Sequence, residues 1–151
     1  MSNIVISDTS CLIALDRIGY LNILHETFPV IYITPKIKEE FEFPLPDWIL
    51  VKQISNQEQL KSLENILDAG EASAITLALE IKAILIIDER KGRSVAKAMD
   101  IKIMGTLKVL LLAKQKGVIN SVKEIIDLLE EHSFRFSKNI KDEVLKLANE
   151  D

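Results

Sequence analysis

Residues 83–87, Ala-Ile-Leu-Ile-Ile, make a continuous apolar run that stops abruptly on Asp88-Glu89. A strand with one wet face alternates apolar and polar side chains. An uninterrupted run needs cover on both faces, which is the situation inside a parallel sheet with helices above and below. The preceding segment, 72–81, carries alanine, isoleucine and leucine around nearly its whole circumference and predicts a helix buried on most sides. Ile4-Val5-Ile6 is a second apolar run, followed by Ser7, Asp8, Thr9 and Ser10. Two strands of this kind, each ending on an acid, constrain the fold more than any other feature.

The rest of the chain alternates in the same way. After Asp8, the residues Leu12, Ile13, Leu15, Ile18 and Leu21 recur at helical spacing, with Gly19 as a break and a second short helix over 20–28. A β-branched and aromatic strand follows over 30–33. Pro35 suits the first turn of a helix over 36–43, which Pro44 and Pro46 end. A strand over 48–54 and a polar helix capped by Asn56 and running through 66 come next. Asp68-Ala-Gly-Glu71 opens the apolar helix. Beyond the 83–87 strand, the pattern predicts a basic helix over 90–99, a strand over 101–104 and a helix over 107–116 with Gly117 at its end. A helix capped by Ser121 runs to about 131, an extended piece covers 134–136, and a final helix spans 139–149. Strands alternating with helices through short connections predict an α/β fold on a parallel sheet, in one domain over 1–151. At 48% hydrophobic residues the chain can fill such a core, and no repeat or linker-like tract divides it.

Several function classes are disfavoured. Cys11 is the single cysteine, so neither an internal disulfide nor a zinc set is on offer, and a reducing, cytoplasmic setting is expected. No apolar run is long enough to span a bilayer. His25 and His132 bear no spacing relation to a nucleophile, and neither a phosphate-binding glycine loop nor a GxSxG elbow is present. A net charge of −4 argues against nucleic-acid binding by bulk electrostatics, although cations gathered on clustered acids would offset it locally.

The acids carry the chemistry. Asp8 and Asp88 follow equivalent strands, and a parallel sheet brings the carboxyl ends of its strands to one edge, so the two are predicted neighbours eighty positions apart. Helix capping is the plain alternative for each. Glu71 has capping-box spacing to Asp68, but Ala74, Ile75 and Ala78 on the following turns point this helix start into the protein, where an acid needs a positive partner. Glu40, between Ile37 and Phe41, reads on its own as a surface helix acid. Converging carboxylates without imidazole or thiol suit magnesium or manganese, and two such ions can activate water and stabilise both oxygens of a phosphodiester displacement. Arg90, Lys91, Arg93 and Lys97, starting beside Asp88 and followed by Lys102 and Lys108, are either a solvated helix face or, as a group, a grip for phosphates.

The ordered set Ile-Val-Ile-Ser-Asp8-Thr-Ser, Thr34-Pro-Lys-Ile-Lys-Glu-Glu40-Phe, Asp-Ala-Gly-Glu71-Ala-Ser-Ala-Ile and Leu-Ile-Ile-Asp88-Glu-Arg resembles the PIN-domain nucleases. It is most similar to their compact prokaryotic branch related to VapC toxins, as are Met104-Gly-Thr-Leu-Lys and Phe134-Arg-Phe-Ser-Lys. The resemblance implies a three-layer α/β/α sandwich, one or two Mg2+ or Mn2+ ions, and cleavage of single-stranded or structured RNA. It places the catalytic acids at Asp8, Glu40, Glu71 and Asp88, with Asp8, Glu71 and Asp88 as metal ligands and Glu40 assisting water. Thr9 or Ser10 matches the hydroxyl that supports the first acid. Many relatives carry threonine or serine two residues before the last acid. Here Ile86 and Ile87 stand two before Asp88 and Glu89, so Asp88 is preferred as the first acid after the strand and Glu89 stays the alternative. The resemblance also implies an RNA substrate, a small antitoxin as partner, and a homodimer. Two rival readings remain: a non-catalytic module of the same fold that binds RNA or protein, and a signalling receiver domain, which would need a second acid after the first strand.

Overall fold

The structure is a computed structural model and describes residues 4–151. Its centre is a five-stranded, wholly parallel sheet in the order β3-β2-β1-β4-β5. These strands are β1 (Ile4–Ser7), β2 (Val30–Ile33), β3 (Ile49–Val51), β4 (Ile84–Ile86) and β5 (Ile103–Met104). Nine helices among the described residues flank it: α1 (Thr9–Arg17), α2 (Asn22–Thr27), α3 (Pro35–Phe41), α4 (Gln57–Glu64), α5 (Ala69–Ile81), α6 (Arg90–Ala98), α7 (Thr106–Gln115), α8 (Val122–Glu131) and α9 (Lys138–Leu147). One group, α3 to α6, packs around α5, and α2, α8 and α9 pack on α7. The result is a three-layer α/β/α sandwich.

The apolar runs behave as their composition demands. In β4 and just after it, Leu85, Ile86 and Ile87 are all completely buried, as are Ile6 in β1 and Ile75 and Leu77 in α5. Burying each such side chain stabilises by about 1.5–3 kcal/mol, so this centre supplies much of the fold's driving force. Strand order reverses between β1 and β4, because β2 and β3 lie on one side of β1 while β4 and β5 lie on the other. At such a switch point the connections leave in opposite directions, and a crevice opens beyond the carboxyl ends of the strands. Asp8 leaves β1 and Asp88 follows β4 at the two sides of that crevice. No helix among the described residues is long and apolar enough to cross a membrane.

Differences from the sequence reading are local. The strand expected over 48–54 shrinks to Ile49–Val51, the one over 101–104 to two residues, and the helix expected over 36–43 stops at Phe41, where Glu42 turns left-handed at φ 64°. Helix α5 starts earlier than expected, at Ala69, because Asp68 caps it by accepting from the Glu71 N–H at 2.9 Å. Gly117 lies one residue beyond the cap of α7 with φ 77°.

Candidate active site

Asp8 caps α1 and also lies beside Asp88 at the crevice, so capping does not exclude the strand-end pairing. Its Oδ1 accepts from the Cys11 N–H at 2.9 Å, and its Oδ2 accepts from the Asp88 N–H at 3.1 Å. The Asp8 backbone in turn donates to the Ile86 carbonyl at 3.0 Å, which ties the strand ends together. Only 6% of Asp8 is exposed. Burial first, and then the charge of Asp88, push its carboxyl from 3.8 up to about 7, against the backbone N–H groups that pull it down. The neighbouring Cys11 thiol is fully buried and pushed up by burial, Asp8 and Asp88, so it is a packed thiol and not a nucleophile.

Asp88 does not cap its own helix. Glu89 takes that role for α6, accepting from the Gly92 N–H at 2.9 Å. Asp88 instead reaches to the start of α7, where Oδ1 accepts from the Thr106 N–H at 2.8 Å and Oδ2 from the Thr106 hydroxyl at 2.5 Å. The two adjacent acids thus separate: Asp88 faces Asp8, and Glu89 lies near Glu71. Burial, then Asp68 and Glu89, push the Glu71 carboxyl from 4.5 up to about 8. Glu40, on α3, accepts at Oε1 from the Thr9 hydroxyl at 2.6 Å.

The supporting hydroxyls differ from those expected. Thr9 holds Glu40 instead of Asp8, and Ser10 is exposed on the wall of a neighbouring groove. The hydroxyl that anchors an acid at a strand end is Thr106, which sequence reasoning passed over. The Gly105-Thr106 step into a helix was the available signal. Of the six cations expected to meet phosphates, Arg90, Arg93 and Lys108 line a groove of about 990 Å3 that starts at Asp88, while Lys91, Lys97 and Lys102 do not. Arg135 completes its basic rim, with Phe134 and Phe136 among its apolar walls. The histidines stand apart from this chemistry: His25 stacks on Trp48, and His132 bonds the Leu128 carbonyl of its own helix.

The donor set fits a hard divalent cation. All four side chains offer only carboxylate oxygen, and none of the ion pairs among the described residues involves Asp8, Glu40, Glu71 or Asp88. A buried carboxylate facing another without a cation is the electrostatic situation that Mg2+ or Mn2+ relieves. The acids are divided into an Asp8–Asp88 pair and a Glu71 group, however, and among the described residues no three acid, imidazole or thiol side chains converge closely enough to hold an ion as they stand.

A family model described as a PIN domain matches residues 4–150. No curated protein and no solved structure matches the chain.

Proposed function

This chain belongs to the PIN-domain family, and on that premise we propose that it is a metal-dependent ribonuclease that hydrolyses RNA phosphodiester bonds at the β1–β4 crevice. PIN domains are generally metal-dependent nucleases. The observation that carries the proposal is the buried Asp8 set against Asp88, with neither acid in an ion pair among the described residues. Asp8, Glu71 and Asp88 would hold Mg2+ or Mn2+. Such an ion supplies the positive charge that lowers the pKa of water and offsets charge building on a phosphate in flight.

The chain's own groups do the rest. Glu40 is fixed at Oε1 by Thr9, which leaves Oε2 to accept a proton from the attacking water. Thr106 holds both oxygens of Asp88, so this ligand is oriented before substrate arrives. Arg90, Arg93, Lys108 and Arg135 position phosphates flanking the scissile bond along the groove. The resemblance to the VapC branch extends the proposal to a toxin restrained by a small antitoxin.

Incubation with a labelled single-stranded RNA tests it. Cleavage is expected in manganese or magnesium and none in excess chelator; equal cleavage in both sinks the mechanism. The unconverged acids favour a second reading, a non-catalytic binding module of the same fold. Calorimetry that detects no Mn2+ binding at millimolar concentration, together with RNA binding but no cleavage, selects that one.

A further inference from the structure

The chain has five glycines, and they fall into two kinds. Gly19 and Gly117 have φ of +78° and +77°, and a β-carbon on either would meet nothing within 4 Å. Their backbone conformation explains them. Gly70, Gly92 and Gly105 have no positive φ, so the backbone does not require glycine there. What they lack is room: at Gly70 and Gly105 the nearest atom is a carboxylate oxygen of the site, with Arg93 Nη1 at 3.2 Å beside it at Gly105, and at Gly92 a carboxylate stands behind a core side chain. A β-carbon on Gly70 would lie 2.2 Å from Glu40 Oε1, one on Gly105 2.9 Å from Asp88 Oδ1, and one on Gly92 3.1 Å from Glu71 Oε2.

From this coincidence we infer that Gly70 and Gly105 are positioning residues, whose missing side chains form the seats of Glu40 and Asp88. The inference rests on reading these acids as the working groups of the site. Gly70 lies in the first turn of α5, where alanine is the better helix former, so the local fold gains nothing from glycine. Glu40 Oε1 is held between the Thr9 hydroxyl and the bare Cα of Gly70. A methyl there pushes on the far end of a flexible side chain; the fold yields easily and the carboxylate moves. Gly105 precedes Thr106, the residue that bonds both Asp88 oxygens, so a methyl at 105 presses on an acid whose other side is already fixed. Gly92 is a mixed case, because its β-carbon would also lie 2.6 Å from Ile87 Cδ1 in the core.

The two glycines serve different acids, so their alanine variants separate. With Gly70→Ala, kcat for a labelled single-stranded RNA is expected to fall about 10–100-fold while Mn2+ affinity by calorimetry and Tm are held. Adding Glu40→Asp, which withdraws the carboxylate by one methylene, recovers part of that loss, although Glu40→Asp alone lowers kcat. With Gly105→Ala, Mn2+ affinity itself falls about 10-fold or more. Wild-type kcat in Gly70→Ala, a double variant no better than the single one, or wild-type Mn2+ affinity in Gly105→Ala overturns the inference. Should the wild-type protein neither bind Mn2+ nor cleave RNA, the nuclease proposal fails on its own. A crystal structure of Gly70→Ala then decides the positioning claim: Glu40 still bonded to Thr9 refutes it, and Glu40 displaced sustains it.

Discussion

Among the carboxylates that accept backbone N–H groups at helix N-termini, Asp8 and Glu150 are driven in opposite directions by their environments. Glu150 closes the end of α9 against the start of α8. Its oxygens accept from the N–H groups of Val122 and Lys123 at 2.8 and 3.0 Å, from the Ser121 hydroxyl at 2.9 Å and from the Lys114 ammonium at 2.9 Å. Burial pushes its carboxyl up, but Lys114 and these donors outweigh it and hold the group down at about 2. Asp8 accepts two backbone N–H groups and faces Asp88, and it rises to about 7. Backbone donors alone therefore do not settle a carboxylate: burial, with Asp88 adding to it, outweighs them at Asp8, whereas the Lys114 cation helps them overcome the same penalty at Glu150. Glu150 has its cation in Lys114. Asp8 takes part in no ion pair among the described residues, and on the proposed function its cation comes from outside.

The strongest way to break this contrast is Asp8→Asn. The amide keeps an oxygen for a backbone donor and removes the charge, so RNA cleavage is expected to fall by roughly 10²-fold or more while metal-free stability holds or rises. Parallel cleavage assays and thermal melts in chelator check both halves. Activity kept near wild type, or a clear loss of stability, would make Asp8 a cap and nothing else.

Glu150→Ala should do the reverse. It leaves the Lys114 ammonium and two N-terminal N–H groups of α8 without their carboxylate, at a cost of about 2 kcal/mol. For a chain of this size that is roughly a 4–8 °C fall in Tm. Cleavage measured well below the melting point should be unchanged. Lost activity in a folded Glu150→Ala protein would show that the α8–α9 end is coupled to the crevice.

How much of this was legible beforehand follows from range. Period and composition are local, so the buried strands, the apolar α5 and the parallel sheet could be read, and strand-end placement then brought Asp8 to Asp88. Glu40 was not legible from the residues, because its partners Thr9 and Gly70 lie 31 and 30 positions away and no periodicity links them; resemblance alone supplied it. Thr106 and the seating glycines escaped for the same reason, since a missing side chain gives no signal until its neighbour in space is known. Proximity in sequence groups Lys91, Lys97 and Lys102 with Arg90, Arg93 and Lys108, but the groove takes only the last three and adds Arg135 from a distant segment.

The smallest effect, and the finest test of the contrast, is pH. In metal-free protein Asp8 has a folded pKa of about 7 against 3.8, and Glu71 about 8 against 4.5. Between those limits the folded state holds protons that the unfolded chain has released, so stability falls as pH rises from about 4 towards 8. Each such group contributes a slope of at most about 1.4 kcal/mol per pH unit. Glu150 runs the other way: depressed from 4.5 to about 2, it contributes stability above 4.5 that is lost as pH drops towards 2. Denaturant melts across pH should therefore show a neutral limb that Asp8→Asn makes shallower, Glu71 keeping the remainder, and an acid limb that Glu150→Gln flattens, neither substitution touching the other's limb. Manganese should raise Tm more at pH 8 than at pH 5, because only the ionised acids bind it. A manganese-induced rise equal at both pH values would mean that the ion binds away from these acids.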